Sequence, residues 1–453
     1  MASTYLTRTQ TTGNRTTFTW SGWVKKNDIS SSDKFLTSCG TASNFRTQFF
    51  FDGSDRLQFY NDDGGSNNMN ILTTRVFRDV NAWYHIVLRF DTTQSTASDR
   101  IRFYVNGVQE TVLTNTTYPS QNADNTQFNY NGVAVDIGRR FYNNTNHWNG
   151  SMSHVHFCDG YSYAPTEFGE TDSTTGEWKI NTSPSVTYGT NGYFILKDGN
   201  SVTDQSGNGN NFTVGGGTLT KTEDCPSNVF CTLNKLNSYQ PTGTINIQYG
   251  NTGFEDGENG SNYSYASGAL GANSGKFYWE TQIASLAEID QVGVALASSN
   301  FMGAANSDGL QATTYGGKGC QFSNGNKVGD GAQSAYMGAF SANDIMMVAL
   351  DLDNNKITFG RNGQWANGSG GADQTYENST AAYTNLTAGE FYFPAQAKRA
   401  FGSNYGTNWY NFGNGYFKLT AVASPGTNAS GIGIFEYDVP TGFTALSTKG
   451  LNE

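Results

Sequence analysis

The sequence predicts an all-β chain of two tandem antiparallel β-sandwiches with little helix, and three observations predict it. Segment after segment alternates apolar and polar residues with the two-residue period of an extended chain, and no stretch of about 12 residues or more carries a convincing helical period. Glycine is abundant (54) and proline scarce (8), while aromatic residues make up 14%, a profile of many short strands joined by tight turns. Finally, the chain spells one phrase twice. "WYHIVLRFD" (83–91) leads through a polar turn into "DRIRFYVNG" (99–107), and "IMMVALDLDNNKITFGRNG" (345–363) repeats the pattern. Each copy ends in Asn-Gly, a dipeptide suited to the positive φ angles of a tight hairpin. Solenoid units recur every 20 to 50 residues or so, whereas this unit recurs across half the chain, so two similar domains are expected.

In order along the chain, "TTFTWSGWVK" (16–25) sets Phe18, Trp20 and Gly22 against Thr17, Thr19 and Ser21, a half-buried strand. "TQFFFD" and "RLQFYN" follow as strands. In the first hairpin Ile86, Leu88 and Phe90 share one face, as do Ile101, Phe103 and Val105, with Val87, Arg89, Arg102 and Tyr104 opposite. "GVAVDIGR" (132–139) and "GSMSHVHFCDG" (150–160) extend the set. Residues 171–242 are less regular, and "NGYFILKD" and "DQSGNGNNFTV" (204–214) read there as closing strands of the first sandwich or as a connector. From about 243 a second run of strands begins with "SGKFYWETQI" and "QVGVALAS", continues through the second hairpin to "FYFPAQ" and "NWYNFGNGYF", and ends in a closing strand and tail. The expected domains are therefore 1–242 and 243–453.

A net charge of −11 argues against nucleic acid and against anionic membranes, whose phosphates would repel the chain. Charged residues are only 14%, which leaves Asn, Ser and Thr to make the surface polar. Cys39, Cys158, Cys225, Cys231 and Cys320 are odd in number and irregularly spaced, so no disulfide framework is implied. The start, "MASTYLTRTQTTGNRTTFTW", lacks an apolar core of signal-peptide length, and nowhere do about 18 apolar residues run together. Cytoplasmic synthesis without membrane insertion is the expectation.

"FTWSGWVK", "NAWYHIVLRFD", "RIRFYVNG", "DIGRR" and "WNGSMSHVHFCDGYSYAPTEFGE", over residues 10–170, resemble the concanavalin A-like jelly roll of laminin G-type and lectin-like domains. "SGKFYWETQI", "GCQFSNGNKVGDG", "NDIMMVALDLDNNKITFGRNGQW" and "FYFPAQ", over residues 260–418, resemble a SPRY domain. Both resemblances imply two-sheet jelly rolls, which accounts for the repeated hairpin. The ordered pair is similar to tail fibres and other virion surface proteins of bacteriophages. That similarity implies a virion location, other virion proteins as partners and a homo-oligomer such as a trimer.

Chemistry is sparse. Glycosidases need two carboxylates flanking the scissile bond, and no strand offers the alternating Glu-x-Asp pattern; "GFEDGENG" (253–260) has the glycine content of a loop. No nucleophile elbow, phosphate loop or Cys-x-x-Cys is present, so no enzyme is expected. "HVHFC" aligns His154, His156 and Cys158 at alternate positions, a row that would suit zinc given a fourth ligand; the alternative is a packed strand. "FDGSDRLQFYNDDGG" carries Asp52, Asp55, Asp62 and Asp63, hard oxygens of the kind calcium takes, and lectin-like jelly rolls hold calcium near a loop rim; two Asx turns are the alternative. "RRFYNNTNHWNG" (139–150) and "NYGTNWYNFGNG" (404–415) combine rings with amides, the surface that a sugar's apolar face and hydroxyl rim require. Tyr142, Asn144, His147, Trp148, Trp409 and Asn411 are the ligand-binding candidates, against the alternative that their rings cap the sandwiches. The expected function is a non-catalytic virion surface protein, a tail fibre or appendage that binds host glycan through sandwich-end loops. The competing expectation is a capsid-decoration or adaptor subunit that binds no sugar.

Overall fold

The structure, a computed structural model, describes residues 3–29, 31–65, 68–143, 145–197, 199, 201–239, 245–255, 263–298, 309–399 and 406–452. The chain is all-β and built of antiparallel sheets, and the described residues contain only short 3-10 turns besides strands. It divides into two compact units, Met1–Lys221 and Thr222–Glu453.

In the first unit the strands are β1 (Tyr5–Thr9), β2 (Thr17–Lys26), β3 (Lys34–Ala42), β4 (Phe45–Phe51), β5 (Arg56–Asp63), β6 (Met69–Val76), β7 (Tyr84–Asp91) and β8 (Ile101–Val105). They are followed by β9 (Val108–Gln109), β10 (Leu113–Thr117), β11 (Ala134–Ile137), β12 (Gly150–Asp159), β13 (Gly169–Thr171), β14 (Trp178–Ile180), β15 (Tyr193–Ile195) and β16 (Thr213–Gly216). Eight form one sheet in the order β10-β6-β5-β4-β3-β11-β1-β16, and six form the other in the order β15-β12-β2-β7-β8-β9. Alternate residues of both sheets fill one core: Phe49, Phe51 and Phe59 from the first meet Phe18, Trp20, Ile86, Leu88, Phe90 and Phe103 from the second. Phe18 and Phe90 stack with centroids 4.5 Å apart. The segment 171–221 belongs to this unit, adding β15 beside β12 and β16 beside β1. Its Asp204 accepts main-chain N–H bonds from Phe194, Ser206 and Asn210, each at 2.8–2.9 Å.

The outward face of the six-stranded sheet is itself covered. Residues 160–192 fold across it, and Val87, Tyr104, Cys158 and Phe168 form a second apolar layer. Trp178 of β14 lies so close to Gly107 that a Cβ there would meet its ring at 2.4 Å.

In the second unit one sheet runs Leu233–Tyr239, Ser264–Gly268, Tyr392–Arg399, Ile289–Leu296, Lys318–Gln321, Lys327–Gly329, Ala332–Ser334. The other runs Asn246–Gln248, Gly253–Glu255, Thr407–Asn411, Lys276–Ser285, Ile345–Asp351, Lys356–Arg361, Gln364–Ala366, Ala372–Gln374. The boundary thus falls at 221/222 and not at 242/243. Residues 222–239 join the second unit because Leu233–Tyr239 pairs with Ser264–Gly268, and Cys231 donates its N–H to the Leu446 carbonyl at 2.9 Å. The expected tail is a strap instead. Phe435, Val439 and Phe443 cover Tyr278, Met347 and Trp365, and Thr444–Ala445 pairs in parallel with Phe277 and Tyr278. Glu280, buried beneath the strap, accepts the main-chain N–H of Glu436 and Tyr437 (2.9 Å each), the Tyr278 hydroxyl (2.9 Å) and the Asn411 amide (3.3 Å).

The twice-written hairpin has one physical basis. Asn106 and Gly107 have φ of 47° and 79°, and Asn362 and Gly363 have 51° and 84°, the two consecutive positive values of a type I′ turn. Each Asn also reaches across the turn: Asn106 Oδ1 accepts the His85 N–H at 2.8 Å, and Asn362 Oδ1 accepts the Ile345 N–H at 2.8 Å. Asn106→Ala and Asn362→Ala should therefore each lower stability by about 1–3 kcal/mol, from the lost bond together with a positive φ on a Cβ residue, as read by urea denaturation. A change below about 0.3 kcal/mol would refute the double role.

Burial raises the Glu280 carboxyl from its ordinary 4.5 to about 7, against the four bonds that favour its ionised form. The unfolded chain therefore loses this proton first as pH rises. The stability Glu280 contributes is present below about pH 4.5 and is lost as pH rises through about 7, at up to about 1.4 kcal/mol per pH unit. Glu280→Gln should flatten the pH dependence of full-chain thermal unfolding across that window. An unchanged slope would count against it.

Candidate functional site

The outward face of the eight-stranded sheet carries one polar residue from every strand, side by side. Cross-strand register places Thr213, Thr7, Asp136, Ser38, Gln48, Tyr60, Asn70 and Thr117 in a single row. Their neighbours in sequence, among them Leu6, Ile137, Cys39, Phe49, Phe59 and Ile71, point into the core, as a two-residue period demands. Gln58, one step along, donates to Asn70 at 2.8 Å.

The loop after β11 returns over the middle of this row. It can lie close because position 40 is glycine: a Cβ there would meet the Phe141 ring at 2.5 Å. Ser38 donates to the Arg139 carbonyl at 2.8 Å, and the Arg139 guanidinium pairs with Asp136 at 2.8 Å. Tyr142, 38% exposed, is the loop's most open ring. The Arg46 guanidinium lies 5.0 Å from the Tyr60 ring and 5.7 Å from the Tyr142 ring, and donates to the Tyr142 hydroxyl at 3.0 Å. Arg140 approaches Tyr142 at 4.9 Å and Phe35 at 5.8 Å. Buried Nε of Arg46, Nε of Arg140 and Nε2 of Gln48 have no hydrogen-bond partner among the described residues. Buried donors left so are costly unless water or a ligand meets them.

Of the residues singled out from sequence, Tyr142 stands in this site. Asn144 lies outside the described residues. His147 sits beside Tyr5, with centroids 6.2 Å apart, and its pKa is lowered by burial and by the Arg139 charge. Trp148 is not a platform: it is 6% exposed and packs in the core 5.9 Å from Phe51. In the second unit Trp409 is 9% exposed, edged by Tyr249 at 5.0 Å and capped by Lys418 at 5.3 Å. Asn411 is fully buried, bonding Glu280 and the Ile434 carbonyl while accepting the N–H of Gly413 and Gly415. Indoles and amides near loops were absorbed by the sandwich ends, where exposed apolar area would otherwise remain.

The four aspartates do not converge on calcium. Asp52 and Asp55 lie at the turn before β5, whereas Asp62 and Asp63 end that strand. Asp52 takes the N–H of Ser54 and Arg56 and the Arg56 guanidinium. Asp55 is buried against Lys26, Asp62 accepts from Gly64, and Asp63 accepts from Gly65 and Asn125. The His-x-His-x-Cys row is broken by a bulge at His154, whose φ is +49°. His156 stacks on Phe194 at 4.0 Å and bonds the Tyr188 hydroxyl. No group of three or more metal-ligating side chains occurs among the described residues.

Sequence reasoning missed Arg46, Gln48, Tyr60 and Arg140. The alternation in "FRTQFFF" and "RLQFYNDD" points Arg46, Gln48 and Tyr60 outward, but an outward polar residue reads as an ordinary solvated face until its neighbours across strands are known.

One further pair resembles a catalytic dyad and is not one. Ser21 Oγ lies 2.9 Å from His85 Nε2, and the Trp178 indole N–H points at His85 Nδ1 at 3.0 Å. Indole nitrogen only donates, so Nδ1 accepts and Nε2 carries the proton given to Ser21. That tautomer cannot act as a base toward serine. Full burial lowers the His85 pKa from 6.5 to about 3, so long-range ¹⁵N spectroscopy should show a neutral, Nε2-protonated ring from about pH 7 down to about pH 4. An imidazolium signal near pH 5.5 would overturn the assignment.

The first unit has a lectin-like β-sandwich fold, compatible with carbohydrate binding. Residues 2–166 match the family model described as the concanavalin A-like lectin/glucanases superfamily. No curated protein matches the chain. Solved structures similar to it include the SPRY domain of human HERC1 (17% identity, 39% of this chain and 96% of that one, TM-score 0.31) and a human SPRY domain (10%, 37% and 93%, 0.26). A native heptameric SAP-like pentraxin from Limulus polyphemus is similar as well (15%, 48% and 90%, TM-score 0.30).

Proposed function

We propose that the protein binds carbohydrate through the outward face of the eight-stranded sheet of its first unit, and that it is a recognition module without chemistry of its own. The observation that carries this reading is the open Tyr142 ring beside Arg46, Tyr60 and Asn70, at the end of the polar row that the loop leaves uncovered. A sugar offers apolar C–H faces to a ring and hydroxyls to amides and guanidinium groups, and this face supplies both within one strip. Binding is favoured over hydrolysis because the row's carboxylate, Asp136, is held by Arg139 at 2.8 Å. Asp62, on the neighbouring row, caps its own turn. A glycosidase instead keeps two carboxyl groups free to face one bond.

The virion setting, with host-surface glycan as target, other virion proteins as neighbours and a homo-oligomeric assembly, is part of the same proposal and rests on the sequence resemblance. Electron microscopy of a particle carrying the tagged chain tests it.

On a glycan array Tyr142→Ala should weaken binding at least about tenfold, the loss of one ring contact, with an unchanged melting curve. Trp148→Ala should instead cost about 3–5 kcal/mol of stability through the cavity it leaves. Retained binding in Tyr142→Ala would exclude this face.

A further inference from the structure

The chain carries a net charge of −11, yet the guanidinium groups of Arg46 and Arg140 both approach the Tyr142 ring, and a third, that of Arg139, lies over Tyr5 on the same sheet. Arg139 is neutralised by Asp136. Arg46 and Arg140 make no ion pair among the described residues; their contacts are the rings of Tyr60, Tyr142 and Phe35, the Tyr142 hydroxyl and main chain. The nearby acids are committed elsewhere. Asp62, opposite Arg46 across the strand pair, accepts from Gly64, and Asp33, which feels the Arg140 charge, accepts from Gly53. The independent observation is the set of unmet buried donors: Nε of both arginines, and Nε2 of Gln48, a side chain only 2% exposed.

Resting on the carbohydrate reading above, we infer that the ligand is an acidic saccharide, whose oxyanion is received by Arg46 and Arg140 beside the Tyr142 hydroxyl. Guanidinium forks match carboxylate and sulfate alike, and charge-assisted bonds of this kind are the strong ones in such a site. The negative remainder of the protein keeps polyanions from binding indiscriminately, so affinity depends on the local pair.

The test uses the full chain and calorimetric titration with oligogalacturonate, a heparin-derived hexasaccharide, maltohexaose and poly-L-glutamate. One of the two acidic sugars should bind at least about tenfold more tightly than maltohexaose, with affinity falling as salt rises. Whichever it is identifies the oxyanion. Arg46→Gln and Arg140→Gln should each lose about tenfold or more for that sugar, and Arg46→Lys should recover part of it. If Arg46→Gln fails to fold, Arg140→Gln on the loop carries the test. Equal binding of neutral and acidic sugars, unchanged in the variants, overturns the acidic class and leaves the carbohydrate reading standing. Poly-L-glutamate bound as tightly as the sugar overturns the saccharide part, and no binding of any sugar overturns both.

Discussion

Strand register is the constraint on which the rest of the structure depends. In a sheet whose side chains alternate, a slip of one residue exchanges the two faces. Applied to β4 and β5, that slip would turn Phe49 and Phe59 outward and carry Arg46, Gln48 and Tyr60 into the core. Buried polar bonds inside the sandwich oppose it: Thr47 donates to Asn61 at 2.5 Å and receives the Gln127 N–H at 2.7 Å, and Thr73 receives the Leu57 N–H at 3.0 Å. Each of these would be left unmet in a shifted pairing, at a cost that apolar packing alone does not impose. The polar row across eight strands is thus a product of the core as much as of the surface.

Both units bury charge, and both do so with partners in place. In the first, Lys26 lies against Asp55 and donates to the Phe77 carbonyl at 3.0 Å. In the second, Asp290 and Lys398 are fully buried 3.0 Å apart, and Asn408 and Gln396 donate to the same carboxylate at 3.0–3.1 Å. A buried pair adds little net stability, but removing one partner strands the other. Such networks therefore favour one arrangement of the strands over near alternatives. Against that background, Arg46 and Arg140 differ in making no ion pair among the described residues, their contacts being aromatic rings and the Tyr142 hydroxyl.

Legibility differed sharply between fold and site. The hairpin faces of Ile86, Leu88 and Phe90 against Val87 and Arg89 could be read directly, because alternation is local and the core rewards it. The Asn-Gly turns could be read for the same reason. What local pattern could not reveal is which loop aromatics stay open: Tyr142 and Trp148 are six residues apart in one polar loop, yet one lies exposed on the sheet and the other is packed beneath it. Nor could it show that Asp52 and Asp62 cap their own turns while Asp55 is buried against Lys26, or that the C-terminal residues form a strap docked on Glu280.

By itself, then, the sequence determined strand direction, the two tight turns, the all-β class and the absence of a helical framework, since each depends on residues within a few positions of one another. Tertiary structure alone decided the partition at Lys221, the burial of Trp148, Trp409 and Asn411, and the meeting of Arg46, Tyr60, Arg140 and Tyr142. Those outcomes depend on cross-strand neighbours up to about two hundred residues apart, such as Tyr5 and Gly216, and only the pairing of the strands supplies them.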